Sequence, residues 1–269
     1  MIPHGKPDLE PLRSIAAAGP GRLTLAGLAL AVICAGLLTL PPGAGWLPDA
    51  GKAPGAGLRL LAGAVVFAWL WSLMVGAMML PSALPFLEVL ARVGGSAAAG
   101  FGGAGFWAAW LAAGAAFSTL LLVLESPLGT LPPGGAERLA AGVLVVSALY
   151  QISPLASVCQ RACRNPFGLV ARHWSGTEGR TGAAFRCGWS YGITCVGCCI
   201  PMIGVMALVG MADPRWIFVL AAMTAGLKNP RWGPRLTAPV FLVLLGAAVA
   251  IVAGYWTPEL RSLRSLCGL

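Results

Sequence analysis

The sequence predicts an all-α fold, a polytopic bundle of about seven transmembrane helices. Three observations carry that expectation. Only 10% of residues are charged and 58% are hydrophobic, whereas a soluble domain carries about 25% charged residues. The apolar residues form continuous runs, not the alternating pattern of a membrane barrel. The positive charges sit in short connections between those runs, where they act as topology signals. The net charge of +9 therefore does not indicate a nucleic-acid partner; the expected partner of this surface is the lipid bilayer.

Taken in order, residues 1–21 form a polar N-terminal arm with Lys6 and Arg13. The first span is expected at 22–40. Its apolar stretch of about 18 residues exceeds a usual signal core, so it is read as a retained helix. A Pro/Gly-rich connection, 41–57, leads to the second span at 58–80, which ends in WSLMVGAMMLP. Trp71, Met74 and Met78 share one face there, at i, i+3 and i+7. Pro81 and Pro85 are expected to break the chain and leave a short interfacial helix at 84–92. The third span, 97–124, carries Gly100, Ala104, Ala108, Ala112 and Ala116 at i+4 spacing. Such ladders let helix backbones approach closely, so this helix is a packing partner. After a loop at 127–135, the fourth span, 139–152, is short and ends before Pro154. The longest polar stretch, 153–180, holds Cys159, Arg161, Cys163, Arg164, His173 and the turn SGTEGRTG. The fifth span is 185–211. Asp213-Pro214 turns into a sixth, 216–227, the basic loop KNPRWGPR follows, and the seventh is 236–256. The tail, 257–269, carries Arg261, Arg264 and Cys267.

With seven spans, twelve of the 18 Lys and Arg residues fall on one side and six on the other. The positive-inside rule then puts the N-terminus in the cytoplasm. The composition, rich in Ala, Gly, Pro and Arg, suits the inner membrane of a bacterium with a GC-rich genome.

Chemistry concentrates in 183–211, AAFRCGWSYGITCVGCCIPMIGVMALVGM. At about 100° per residue, Cys187, Tyr191, Cys195, Cys198, Cys199, Met202 and Met206 fall within an arc of about 120°, so one face is lined with sulfur. Cys195 to Cys199 lie about 15–20 Å along the helix, near mid-membrane. Soft thiolate and thioether ligands select Cu(I) first, and Zn or Fe–S clusters less often. The plainer reading is that buried Cys and Met are core filler; Cys195, Cys198, Cys199 and Met202 within eight residues weigh against it. The adjacent Cys198 and Cys199 do not suit an ordinary disulfide. Pro201 removes a backbone donor and Gly197 gives space, so a kink there is expected to aim the ligands. Met74 and Met78 are expected to face the cysteines across a helix contact. Cys159 and Cys163, at i and i+4, form a second pair, expected on the cytoplasmic side as the place where metal is first taken up, with His173 as a weaker helper. Arg164, Arg180 and Arg186 are read as lipid-headgroup or topology residues. Two histidines are too few for bis-histidine haems, and no Cys-x-x-Cys-His haem attachment run occurs. No acid lies at the centre of an apolar run, which argues against a carboxylate proton relay.

These motifs resemble a bacterial family of predicted metal-binding integral membrane proteins, some of whose members are labelled copper chaperones. WSLMVGAMMLPSALP carries the family-like Trp71, Met74, Ala77, Met78, Met79 and Pro81. YQISPLASVCQRACRNP carries Gln151, Pro154, Cys159, Cys163, Arg164 and Pro166. GAAFRCGWSYGITCVGCCIPM carries Arg186, Gly188, Cys195, Gly197, Cys198, Cys199 and Met202, with Gly210 and Met211 following. The resemblance covers about 58–228. This chain departs from the pattern in having Ala156 for a Lys, Ile200 for an aromatic residue, and Leu227 for the Glu of a Glu-Lys pair. The missing acid weighs against an ion pair or transfer step at that place. The resemblance implies metal binding in a membrane.

The expected function is therefore binding and delivery of Cu(I), with a copper-receiving membrane protein or complex as partner, by a protein that is not an enzyme. The metal set is Cys195, Cys198, Cys199, Met202, Met74, Met78, Cys159 and Cys163. Two other classes stay open on the sequence: a thiol–disulfide protein moving electrons between Cys195/Cys198 and Cys159/Cys163, and an accessory subunit of a larger membrane complex.

Overall fold

The computed structural model describes residues 22–38, 56–129, 132, 134–173, 180–209 and 214–255. Among them every regular element is a helix: α1 (Arg22–Leu38), α2 (Ala56–Met78), α3 (Leu80–Gly129), α4 (Gly135–Gln151), α5 (Pro154–Arg164), α6 (Pro166–His173), α7 (Arg180–Val209), α8 (Pro214–Lys228) and α9 (Gly233–Val252). The N-terminal arm, the tail with Cys267, Met211 and the side chain of His173 lie outside the described residues.

The fold class is the expected one, but fewer helices reach full length than the seven spans read from the sequence. Four described helices are long and apolar enough to cross a membrane: Gly57–Met78, Leu80–Leu124, Arg180–Met206 and Gly233–Val252. The expected fourth span is instead the first limb of a pair bent by 62°, Glu137–Gln151 followed by Pro154–Arg164. The bend has a local cause. Pro154 cannot donate to the preceding turn, and Ser153 starts a new helix by accepting from the Ala156 N–H at 3.1 Å. The expected spans at 22–40 and 216–227 are the shorter apolar helices Leu23–Leu38 and Trp216–Lys228. At 1.5 Å per residue, a helix of 17 residues reaches about 25 Å, less than a hydrocarbon core of about 30 Å.

The break between α2 and α3 falls at Met79. Pro81 sits in the first turn of α3, where no intrahelical donor is lost, so the short helix expected at 84–92 begins earlier, at Leu80. It is the first limb of α3, which is interrupted at Gly95 (φ 82°, ψ 179°). That backbone conformation is closed to residues with a Cβ, and this glycine ends one helical limb and begins the next.

α7 is the central element. Half of its apolar window is buried, against 17–28% for the windows of α2, α3 and α9. It packs along α3 as expected, but on a different face of α3. Gly100, Ala104, Ala112 and Ala116 point outward. The contact is made by Gly102, Gly105 and Ala109 against Gly188 and Gly192. A Cβ at Gly188 would lie 1.9 Å from the Gly102 carbonyl oxygen, and one at Gly105 would lie 2.1 Å from that of Phe185. The glycines bring the two backbones into contact.

Around this axis, Trp71 of α2 donates to the Trp110 carbonyl at 2.8 Å and stacks on Phe67 and Phe117. It is a structural anchor between α2 and α3. α1 lies against α2 and α3, with a hydrogen bond between Thr24 and Glu88. α9 covers α4.

Candidate metal centre

The sulfur-bearing face of α7 points into the protein. Cys187, Tyr191, Cys195, Cys198, Cys199, Met202 and Met206 are all buried. The regular 3.6-residue helix puts them in one stripe, and the position of α7 between α3 and α5 covers that stripe. Tyr191 orients one end: its ring stacks on Phe86 with centroids 4.3 Å apart, and its hydroxyl donates to the Ser82 carbonyl at 3.1 Å.

The helix runs on through Pro201. Pro201 has no N–H for the carbonyl four residues earlier, which is that of Gly197. The Tyr150 hydroxyl donates to that oxygen at 2.8 Å, so α4 satisfies the acceptor that the proline leaves free. Gly197 also makes room for Cys159, whose Sγ would lie 2.8 Å from any Cβ there.

Three thiols form the nucleus of the site. The Sγ atoms of Cys195, Cys198 and Cys199 all lie within 4.8 Å of one another, and those of Cys198 and Cys199 are 3.7 Å apart. The Cys198 thiol also donates to the Cys195 carbonyl at 3.1 Å. α5 adds a fourth thiol: Cys163 is buried, with its Sγ 3.6 Å from that of Cys198. The α2–α3 turn adds a thioether, the Met79 Sδ, 3.7 Å from the Cys199 Sγ. The seven described cysteines are all free.

A cation closes the site. Lys228, the last residue of α8, places its Nζ 2.9 Å from the Cys195 Sγ, 3.0 Å from the Ser82 Oγ and 3.7 Å from the Met79 Sδ. The end of α8 is fixed by Arg164, whose Nε and Nη2 donate to the Leu227 carbonyl at 2.9 and 2.7 Å. Its Nη2 also donates to the Gln160 Oε1 at 3.0 Å. Arg164 of α5 and Lys228 of α8 thus turn inward. Arg164, expected from sequence at a headgroup or as a topology signal, caps the Leu227 carbonyl at the C-terminal end of α8, and Lys228, expected in a loop, ends that helix.

The expected site is thereby rearranged. Cys195, Cys198, Cys199 and Met202 share the interior face as expected. Cys163, expected to pair with Cys159, lies at the central thiols, while Cys159, half-buried, packs on the Gly197 backbone. Met74 and Met78 are buried in the same core as the cysteines, and a methionine sulfur 3.7 Å from the Cys199 thiol is that of Met79. Two contributors escaped the sequence reading. Met79 lies one position off the Trp71–Met78 stripe and is brought round by the turn at the α2–α3 junction. Lys228 reads as the first residue of a basic loop; a lone cation ending a short apolar helix was the available signal.

The donor set suits a soft ion. Sulfurs sharing one ion at a bond length of about 2.3 Å stand about 3.8 Å apart in tetrahedral geometry and about 4.6 Å apart in linear geometry. The observed separations of 3.6 Å, 3.7 Å and up to 4.8 Å bracket that range. Thiols and a thioether without imidazole or carboxylate favour Cu(I) over the harder divalent ions. Residues 68–251 match the model of a family described as PpoB2, copper chaperone. No curated protein and no solved structure matches the chain.

Proposed function

The chain belongs to the PpoB2 copper chaperone family, and from that premise we propose that it is an integral membrane protein that holds Cu(I) on sulfur and delivers it to a membrane-bound client. The single observation that carries the reading is the convergence of Cys163, Cys195, Cys198, Cys199 and Met79, from three separate parts of the chain, on one buried place. Filler residues would not require thiols from different helices to meet.

The membrane setting draws support from the outer surface. Leu60, Val123, Val146, Leu242, Val243 and Val252 project outward from four helices. A belt of that kind is stable in lipid and not in water. In this reading the four long helices, the bent pair of α4 and α5, and the shorter α1 and α8 together make up the seven-segment bundle, in the inner membrane of a bacterium with the N-terminus in the cytoplasm. The protein is a carrier and not an enzyme, and zinc is the weaker ligand. Because Cys163 belongs to the site, uptake and storage use one cluster and not two separate pairs. Met202, on the same buried face, is a second thioether for the bound ion.

The test is elemental analysis of anaerobically purified protein. Wild-type chain is expected to carry about one copper with reduced thiols, and Cys195→Ser with Cys198→Ser to carry almost none. Unchanged copper in that double variant would remove the reading. A second reading draws on the 3.6 Å approach of Cys163 and Cys198: a thiol pair that closes to a disulfide between α5 and α7, passing two electrons to a quinone-class acceptor with release of two protons. A metal-free protein showing a redox-dependent gel shift that Cys163→Ser abolishes would favour it.

A further inference from the structure

Lysines are almost never fully buried unless paired, yet Lys228 is only 8% exposed. Its three N–H donors are matched by three partners, Cys195, Ser82 and Met79. Those contacts are two sulfurs and a hydroxyl, with no carboxylate among them. An ammonium has no lone pair with which to bind a metal, so its part in a sulfur cluster is electrostatic. Its Nζ contacts sulfur of α7 and sulfur of the α2–α3 turn, and an ion shared by those two sulfurs lies beside the positive charge.

We propose that Lys228 is a specificity-determining residue whose fixed charge sets the sulfur site for a monovalent soft cation and against a divalent one. This rests on the copper reading above and says which property of the site selects the metal. The ammonium offsets one unit of the thiolates' negative charge, and its repulsion of the bound ion doubles when the ion's charge doubles. The sulfur ligands supply affinity for soft ions in general, and the lysine supplies discrimination by charge. Arg164 is the positioning residue: by holding the Leu227 carbonyl it keeps the end of α8, and with it Nζ, against the cluster.

The experiment uses the full chain, purified anaerobically in detergent and titrated with Cu(I) and Zn(II) against competing chelators. Ag(I) and Cd(II) serve as redox-inert monovalent and divalent probes, and Cd–thiolate absorbance reports the number of bound sulfurs. The variants are Lys228→Met, Lys228→Gln and Lys228→Arg. Loss of the charge in Lys228→Met or Lys228→Gln is expected to shift the ratio of monovalent to divalent affinity toward the divalent ion by about tenfold or more. Lys228→Arg is expected to keep the wild-type ratio. Lys228→Gln retains a hydrogen-bond donor toward Ser82 and carries the test if Lys228→Met does not fold. Wild-type and Lys228→Gln proteins that both bind Cu(I) with the same ratio overturn the selectivity role and leave the copper reading standing. A wild-type protein that binds neither monovalent probe overturns both.

Discussion

Both halves of α7 carry fully buried residues, and these do different work. In the first half Gly188 and Gly192 lie against Gly102 and Ala109, and the interface is backbone on backbone. In the second half Cys195, Cys198, Cys199 and Met202 are buried to the same degree, but their neighbours are a thiol from α5, a thioether from the α2–α3 turn and the ammonium of Lys228. Burial therefore does not separate packing from chemistry in this molecule. The separating property is what each buried atom meets. Small residues meet a backbone they must not obstruct, and sulfur meets other sulfur together with a charge.

The sharpest way to break this comparison is to spoil the first half. Gly188→Leu puts a Cβ 1.9 Å from the Gly102 oxygen. Overpacking at a backbone contact is expected to cost about 3 kcal/mol or more, enough to abolish folded protein on size-exclusion chromatography in detergent. The same test on the second half should behave in the opposite way: Cys163→Ser keeps the fold, with a melting temperature within a few degrees of wild type. It should weaken Cu(I) about tenfold or more by chelator competition, since a soft ligand is lost. Cys159→Ser, outside the thiol contacts, should leave Cu(I) affinity close to wild type.

Tyr150→Phe probes the junction between the halves. It leaves the Gly197 carbonyl without its donor, and an unsatisfied buried acceptor costs about 1–3 kcal/mol; thermal melting of the purified variant measures the loss. The smallest effect distinguishes the methionines. Met79→Leu, which removes the sulfur 3.7 Å from Cys199, should weaken Cu(I) a few-fold, while the volume-conserving Met74→Leu changes stability by less than about 1.5 kcal/mol and Cu(I) affinity not at all. Equal copper loss in both methionine variants would remove Met79 as the thioether of the site.

The legible part of the site is the part that one helix contains. Cys195, Cys198, Cys199 and Met202 could be placed together because 3.6-residue periodicity acts within a single segment. Met79 could not, since the turn between α2 and α3 rotates it off the Trp71–Met78 stripe. The small-residue ladder illustrates the same limit. The third span carries Gly and Ala at many positions, so i+4 spacing alone offered several possible faces. The outward ladder of Gly100 to Ala116 was as regular as the inward set of Gly102, Gly105 and Ala109.

From the residues alone came the helical class, the soft-ligand character of 183–211 and the burial of one side of that segment, because hydropathy and helical period are properties of neighbours along the chain. Tertiary structure alone decided that Cys163 is a partner of Cys198 and that Lys228 is an interior counter-charge. Both depend on how the bent α4–α5 pair and the end of α8 are seated against α7. That seating is set by close packing and by hydrogen bonds such as Arg164 to the Leu227 carbonyl, between residues far apart in sequence, and no local pattern encodes it.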